Sequence, residues 1–176
     1  MRILFVCTGN ICRSPTAERL SARFIRDRAF TDVTAASAGT RAVVGQPIQH
    51  NAASVLRQLG GDPANFQARQ LSPKTLADAD LVLTMTRGHR DAVLAVSPRF
   101  LHRTFTLAEA TRLVTDVGVE SIEDLSAARS HVASGPSLDI RDPVNEPLDF
   151  FKVVGDEINS LLPPILELCF QTARSS

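Results

Sequence analysis

Arg2-Ile3-Leu4-Phe5-Val6-Cys7-Thr8-Gly9-Asn10-Ile11-Cys12-Arg13-Ser14-Pro15 follows the first methionine, and its reading decides the fold. Ile3 to Val6 is a continuous apolar run with β-branched ends, which predicts a strand buried on both faces. At the other end of the stretch, Ser14 and Pro15 predict a helix start, with Ser14 as its cap and Pro15 at its first position. Ala17, Leu20, Ser21, Phe24 and Arg28 then recur at helical spacing, and Ile25 adds to the buried face.

The same alternation continues outward. Val33 to Ala36 predicts a second strand that ends at Ser37-Ala38-Gly39-Thr40. Pro47 predicts a helix whose Ile48, Ala52, Val55, Leu56 and Leu59 share one stripe, stopped by Gly60-Gly61. Leu81 to Met85 is a third strand, followed by a helix from about Gly88 to Val96. Arg103 to Thr106 is a short fourth strand, and Thr106 with Glu109 has the spacing of a capping box. Between Val114 and Leu138 the pattern predicts only one short helix, near Ser121 to Ala128. Phe151, Val154, Ile158, Leu161, Ile165 and Cys169 keep helical spacing, with Pro163-Pro164 expected to kink or divide the helix. Strands alternating with helices predict a parallel sheet covered on both faces, with ligands bound beyond the C-terminal ends of its strands. Cys7 lies at such an end.

Composition narrows the partners. The 176 residues suit one domain, 1–176, with a single core, and carry 19 basic and 19 acidic side chains. That balance gives no reason to expect nucleic acid or an anionic membrane as partner, so attraction for an anion must be local. The N-terminal apolar run is too short for a secretory signal, and no stretch reaches the ~20 apolar residues of a membrane span. Cys7, Cys12 and Cys169 form no disulfide framework, which favours a reducing cytoplasm. The four histidines are scattered and no C-x2-C pair exists, so neither a metal nor another cofactor is expected.

Residues 7–14 have the chemistry of an anion cradle. They join a buried strand to a helix N-terminus, where backbone N–H groups lack helical partners and the dipole favours negative charge. Gly9 is expected to take a positive φ so that successive N–H groups converge. Arg13, six residues after Cys7, sets a two-pronged guanidinium opposite the sulfur. The same field favours a thiolate at Cys7, a nucleophile for phosphorus. Ser14 is placed to donate to that sulfur, and the Asn10 amide to brace the loop. Cys12 reads either as a small buried residue or as a thiol that pairs with Cys7 on oxidation; Cys169 reads as core. Ester cleavage also needs an acid. Asp142, stiffened by Pro143, is the best candidate and Asp139 its competitor.

Taken together, Cys7 to Pro15, Ser37-Ala38-Gly39-Thr40, Ala68-Arg69-Gln70-Leu71, Ala79 to Met85 and Asp142-Pro143 resemble the low-molecular-weight protein tyrosine phosphatases, in family order across most of the chain. The resemblance implies a three-layer α/β/α fold around a four-stranded parallel sheet. It implies a cysteinyl-phosphate intermediate on Cys7, with Arg13 holding the phosphoryl group and Asp142 acting as acid and then base. Thr8, Gly9, Asn10, Ile11, Cys12, Ser14 and Ser37 would contact or support the substrate, a phosphotyrosine-containing protein, with no metal; the sequence does not reveal the oligomeric state, for which a monomer is the expectation. Val144-Asn145, Arg41 to Val44 and Phe66 depart from the family, which often has aromatic residues at the first two places and His at the third. Relatives acting on phosphoarginine carry Thr where this chain has Ile11, and the apolar side chain suits a phenyl ring. Arsenate reductases share the loop but need cysteines that are missing between Cys12 and Cys169. A catalytically silent phosphate-binding module would leave the intact Cys7, Arg13 and Asp142 unexplained. A sulfurtransferase would leave Asp142-Pro143 without a role.

Overall fold

A computed structural model describes residues 1–132 and 138–175. Strand β1 (Arg2–Cys7) lies at the centre of a four-stranded sheet of order β2-β1-β3-β4, with every pairing parallel. Its neighbours are β2 (Thr34–Gly39) and β3 (Leu81–Thr84), and β4 (Thr104–Thr106) closes the far edge. Ile3, Phe5, Leu81 and Leu83 face one buried cluster, and Leu4, Val6 and Val82 face another. The central strands are therefore covered on both sides, which is why their sequences are apolar without alternation.

Helices α1 (Arg13–Asp27), α2 (His50–Gln58), α5 (Leu107–Thr115) and α7 (Leu148–Ser175) fill the larger layer. The other layer holds α3 (Pro73–Ala77) and α4 (Arg87–Val96), with a 3-10 turn at Pro98–Arg103. Short α6 (Asp124–Ala128) falls where the sequence places it. The capping box at α5 also forms, with Thr106 N–H donating to Glu109 Oε2 at 3.1 Å and Glu109 N–H to Thr106 Oγ1 at 3.1 Å. The segment 133–137 of the least regular region lies outside the described residues.

Several boundaries differ from the sequence reading. Helix α1 begins at Arg13 with Cys12 as its N-cap residue, so Ser14 sits inside the first turn and caps nothing. Helix α2 begins at His50 rather than Pro47, because Gln46 and Gln49 are tied to neighbouring loops and the Gln49 side chain caps Ala52 N. Helix α7 runs for 28 residues straight through Pro163-Pro164. The prolines remove donors to the carbonyls of Asn159 and Ser160, which lie towards solvent. Buried Ile158, Leu162, Ile165, Leu166 and Cys169 grip the helix on both sides of the pair. Helix α3 escaped the sequence reading, although Ser72, Pro73 and Thr75 supply both its capping box and its proline. Among the described residues, no helix is long and apolar enough to cross a membrane.

Candidate active site

The chain leaves β1 at Cys7 and enters α1 at Arg13, and the loop between them is turned inside out compared with an ordinary connection. Its carbonyls point outward and are taken: Cys7 O by Thr40 N–H at 2.9 Å, Thr8 O by Arg41 at 3.0 Å, Gly9 O by Val43 at 3.0 Å, Ile11 O by Gln49 at 2.8 Å and Cys12 O by Thr16 at 3.1 Å. A trans peptide carries its C=O and N–H on opposite sides. Anchoring these carbonyls outward therefore aims the N–H groups of Thr8, Gly9, Asn10, Cys12 and Arg13 at the loop's interior. The backbone N–H groups of residues 8–12 meet no acceptor among the described residues. The result is a ring of donors at the start of a helix dipole, which is an anion site.

The positive φ lies one residue later than the sequence reading places it. Gly9 does not have one, while Asn10 does, at 55°. Asparagine tolerates the left-handed region because its short amide satisfies local groups. Here Asn10 Oδ1 accepts from Arg69 N–H at 2.9 Å, and Asn10 Nδ2 donates to Ser14 Oγ at 2.9 Å and Ser37 Oγ at 2.8 Å. Ser37 in turn donates to Glu18 Oε2 at 2.6 Å. With its oxygen accepting from Asn10, the Ser14 hydroxyl has its hydrogen for Cys7 Sγ, 2.9 Å away, in preference to the more distant Ala38 O at 3.5 Å. The requirement for glycine falls instead on Gly39, where an added Cβ would stand 2.5 Å from Thr8 O.

Arg13 is buried beneath this ring, donating through Nη1 to Ile140 O at 3.0 Å and through Nη2 to Asp142. Its Nε is buried with no hydrogen-bond partner. Asp142 reaches in from a loop: one carboxylate oxygen meets Arg13, the other accepts from Val144 N–H at 3.2 Å, and the side chain is 46% exposed. Asp139 goes elsewhere. Arg87 holds it through its N–H at 2.8 Å and through its guanidinium at 3.1 Å. Burial works against the Asp139 carboxylate, but the hydrogen bonds and charge of Arg87 outweigh it and keep its pKa below the ordinary value. The structure thus brings Asp142, and not Asp139, to Arg13.

Cys12 lies behind the loop among Thr16, Ala52, Val55, Pro143 and Phe151, where burial first and the nearby Cys7 and Asp142 charges second push its pKa up to about 12. Cys169 is core, as its stripe predicts, with burial pushing its pKa to about 12 as well. Phe66, which stands where the family often has His, packs in the main core under Arg19. In the two segments where the family often has aromatic residues, Val43, Val44 and Val144 are exposed by 47%, 67% and 42%, beside exposed Arg41 and Asn145.

Two supports were missed in the sequence. Arg69 braces the loop through its backbone N–H on Asn10 and through Nε on Ser37 O at 2.6 Å. His89 is buried, with Nε2 2.8 Å from Thr8 Oγ1 and Nδ1 2.9 Å from Thr86 Oγ1. Burial and then the Arg13 charge lower its pKa to about 4. The available signal was the cap: Thr86 before Arg87-Gly88-His89 places His89 at the third position of a helix leaving β3.

The family model for low molecular weight phosphotyrosine protein phosphatase matches residues 2–172. A protein-arginine-phosphatase of Geobacillus stearothermophilus is 31% identical over 166 residues, covering 94% of each chain. Low molecular weight protein-tyrosine phosphatase A of Mycobacterium tuberculosis is 34% identical over 166 residues, covering 93% of this chain and 88% of its own. Among solved structures, the low molecular weight protein tyrosine phosphatase from T. tengcongensis superposes with a TM-score of 0.76 at 32% identity, covering 95% of this chain and 98% of its own.

Proposed function

The chain belongs to the low molecular weight phosphotyrosine protein phosphatase family, and from that premise we propose that it hydrolyses phosphotyrosine in protein substrates through a cysteinyl-phosphate on Cys7. Being a phosphatase follows from membership. The substrate and the residue roles rest on the loop around Cys7, whose carbonyls are tied outward and whose N–H groups face in. We assign the activity to 1–176 acting as one catalytic domain in the cytoplasm.

In the first step Cys7 Sγ attacks phosphorus. The S–P bond forms as the ester P–O bond breaks, and the phenolic oxygen leaves with a proton from Asp142. Backbone N–H groups of residues 8–13 and the Arg13 guanidinium hold the three peripheral oxygens, whose charge is preserved through the transition state. The unpartnered Nε of Arg13 gains an acceptor at that moment. Ser14 holds the sulfur in line and stabilises it as a leaving group. In the second step Asp142 takes a proton from water, the water oxygen bonds to phosphorus, and Cys7 departs as thiolate.

Ile11 favours the aryl ester. A Cβ placed on Gly9 would lie 3.4 Å from Ile11 Cγ1 and 3.6 Å from Val43 Cγ2, so these two side chains form an apolar lip over the loop. A phosphoarginine reading is favoured by the relative of that specificity, 31% identical across the same span. The purified protein is assayed on p-nitrophenyl phosphate, a phosphotyrosine peptide, phosphoarginine and arsenate, beside Cys7→Ser. The expected result is turnover of the two aryl esters, and none by Cys7→Ser. A kcat/KM for phosphoarginine above that for the phosphotyrosine peptide selects the second reading. No turnover of any phosphate compound by the wild type overturns both.

A further inference from the structure

We infer that His89 is a positioning residue for the phosphate loop and acts through the hydroxyl of Thr8. The inference rests on the phosphatase reading of the loop. The Asn10–Ser37–Arg69 network braces the loop on its β2 side only. Thr8, the neighbour of Cys7, makes no contact with that network. Its side chain meets His89 Nε2 instead, 81 residues away in sequence, on the side of β3 and α4.

The imidazole is a fixed anchor. Its Nδ1 meets Thr86 Oγ1, and its own backbone N–H donates to the same oxygen at 3.2 Å. Thr86 is held in turn by the sheet, since Met85 N–H donates to Val6 O at 2.9 Å, one residue before Cys7. The chain of contacts thus starts at Thr8, just past β1, and returns to β1 at Val6. Both ring nitrogens face hydroxyls, which donate or accept equally well, so the bridge holds in either neutral tautomer. The ring stays neutral near Arg13 and therefore braces the loop without adding charge to it.

Thr8 is where such a brace has most leverage. Its N–H and that of Gly9 belong to the two peptide planes next to the sulfur, and their carbonyls are held by Thr40 and Arg41. Fixing the Thr8 side chain fixes the Cα between those planes. Without the bridge, the two planes nearest the nucleophile are held by one carbonyl hydrogen bond each, from the β2 side alone, and can tilt about it. A misplacement on the ångström scale costs roughly 10- to 100-fold in rate.

The test is a double-mutant cycle with His89→Leu, Thr8→Val and the pair, read as kcat and KM on p-nitrophenyl phosphate. Melting temperature and affinity for inorganic phosphate by calorimetry are followed in parallel. Each single variant is expected to lose roughly 10- to 100-fold in kcat with KM changed less than about 3-fold, and to bind phosphate more weakly. The double variant should lose no more than the worse single. Thr8→Ser and His89→Gln, which restore a hydroxyl and a donor, should recover most of the rate. Multiplicative losses in the pair, or wild-type kcat and phosphate affinity in folded Thr8→Val, overturn the inference. If His89→Leu fails to fold, Thr8→Val against Thr8→Ser decides. An inactive wild type defeats the phosphatase reading instead, and the phosphate affinities of the same variants then decide this one.

Discussion

The floor of the site and its rim are built to opposite standards. On the floor, between Cys7 and Ser14, the side chains of Cys7, Thr8, Asn10, Arg13 and Ser14 each have a partner, and the outward carbonyls are bonded. On the rim, the side chains of Val43, Val44 and Val144 stand in solvent and have no hydrogen bond with which to orient a substrate. Reaction chemistry demands fixed donors because the transition state offers its charge at one geometry. Binding a ring or a peptide flank needs only area, and area tolerates variation. Changes to the floor should therefore alter rate by orders of magnitude, and changes to the rim should alter preference by small factors.

The largest break in that contrast comes from Arg13→Lys. It keeps the charge but loses the planar fork, Ile140 O and the geometry at Asp142. The expected loss in kcat/KM is roughly 10²- to 10³-fold on every substrate alike. A variant within 5-fold of wild type would show that the floor does not depend on the planar fork of Arg13.

Asp142→Asn comes next and should divide substrates by leaving group. A phosphotyrosine peptide, with its poor phenolic leaving group, is expected to lose on the order of 10²-fold or more in kcat. p-Nitrophenyl phosphate, whose leaving oxygen needs little protonation, should lose several-fold less. Equal losses on both would remove Asp142 as the acid. Asp139 then becomes the residue to test, despite its clamp on Arg87.

The floor also sets a pH limit on stability. His89 keeps its proton off until about pH 4, against 6.5 in an unfolded chain. Between those values the unfolded state binds a proton that the native state refuses, so stability is complete above about pH 6.5 and falls as pH drops towards 4. The slope is about 1.4 kcal/mol per pH unit, which sums to on the order of 3 kcal/mol. The charges facing His89 are Arg13, Asp142 and Asp139, the last paired with Arg87. Asp139 has its own pKa depressed below 3.8, so its contribution is lost only at lower pH and does not confuse the window. Denaturant midpoints measured from pH 7 to 4 should fall in the wild type and flatten in His89→Gln. Parallel slopes would assign the loss to other groups.

What was legible in the sequence follows the distance over which each feature is determined. Strand β1, the loop and α1 could be read because an apolar run, a glycine, an arginine and a Ser-Pro pair declare themselves within a few residues. The boundaries that shifted were set by partners far along the chain. Gln49 N–H is committed to Ile11 O, which delays α2. Packing of Ile158, Leu162 and Ile165 carries α7 across two prolines that locally argue for a break. Gly9 was the obvious residue for a positive φ, yet Asn10 takes it because Arg69, Ser14 and Ser37 satisfy its amide there. The role of His89 was hidden for the same reason, although the Thr86 cap fixes its place in the first turn of α4. Nothing near it in sequence announces that α4 returns it to Thr8.

The smallest expected effect lies on the rim. Ile11→Thr replaces half of the apolar lip over Gly9 with a hydroxyl and leaves the carbonyl of residue 11 on Gln49. The ratio of kcat/KM for the phosphotyrosine peptide over phosphoarginine should fall by about 5- to 20-fold, mostly from a higher KM for the aryl substrate. That range corresponds to roughly 1–2 kcal/mol, the scale of one aliphatic contact with a ring. Val44→Ala, further out and more exposed, should shift the same ratio less than about 2-fold. If Ile11→Thr instead lowered kcat on both substrates together, position 11 would belong to the floor, and the division between reaction and preference would run outside the lip rather than through it.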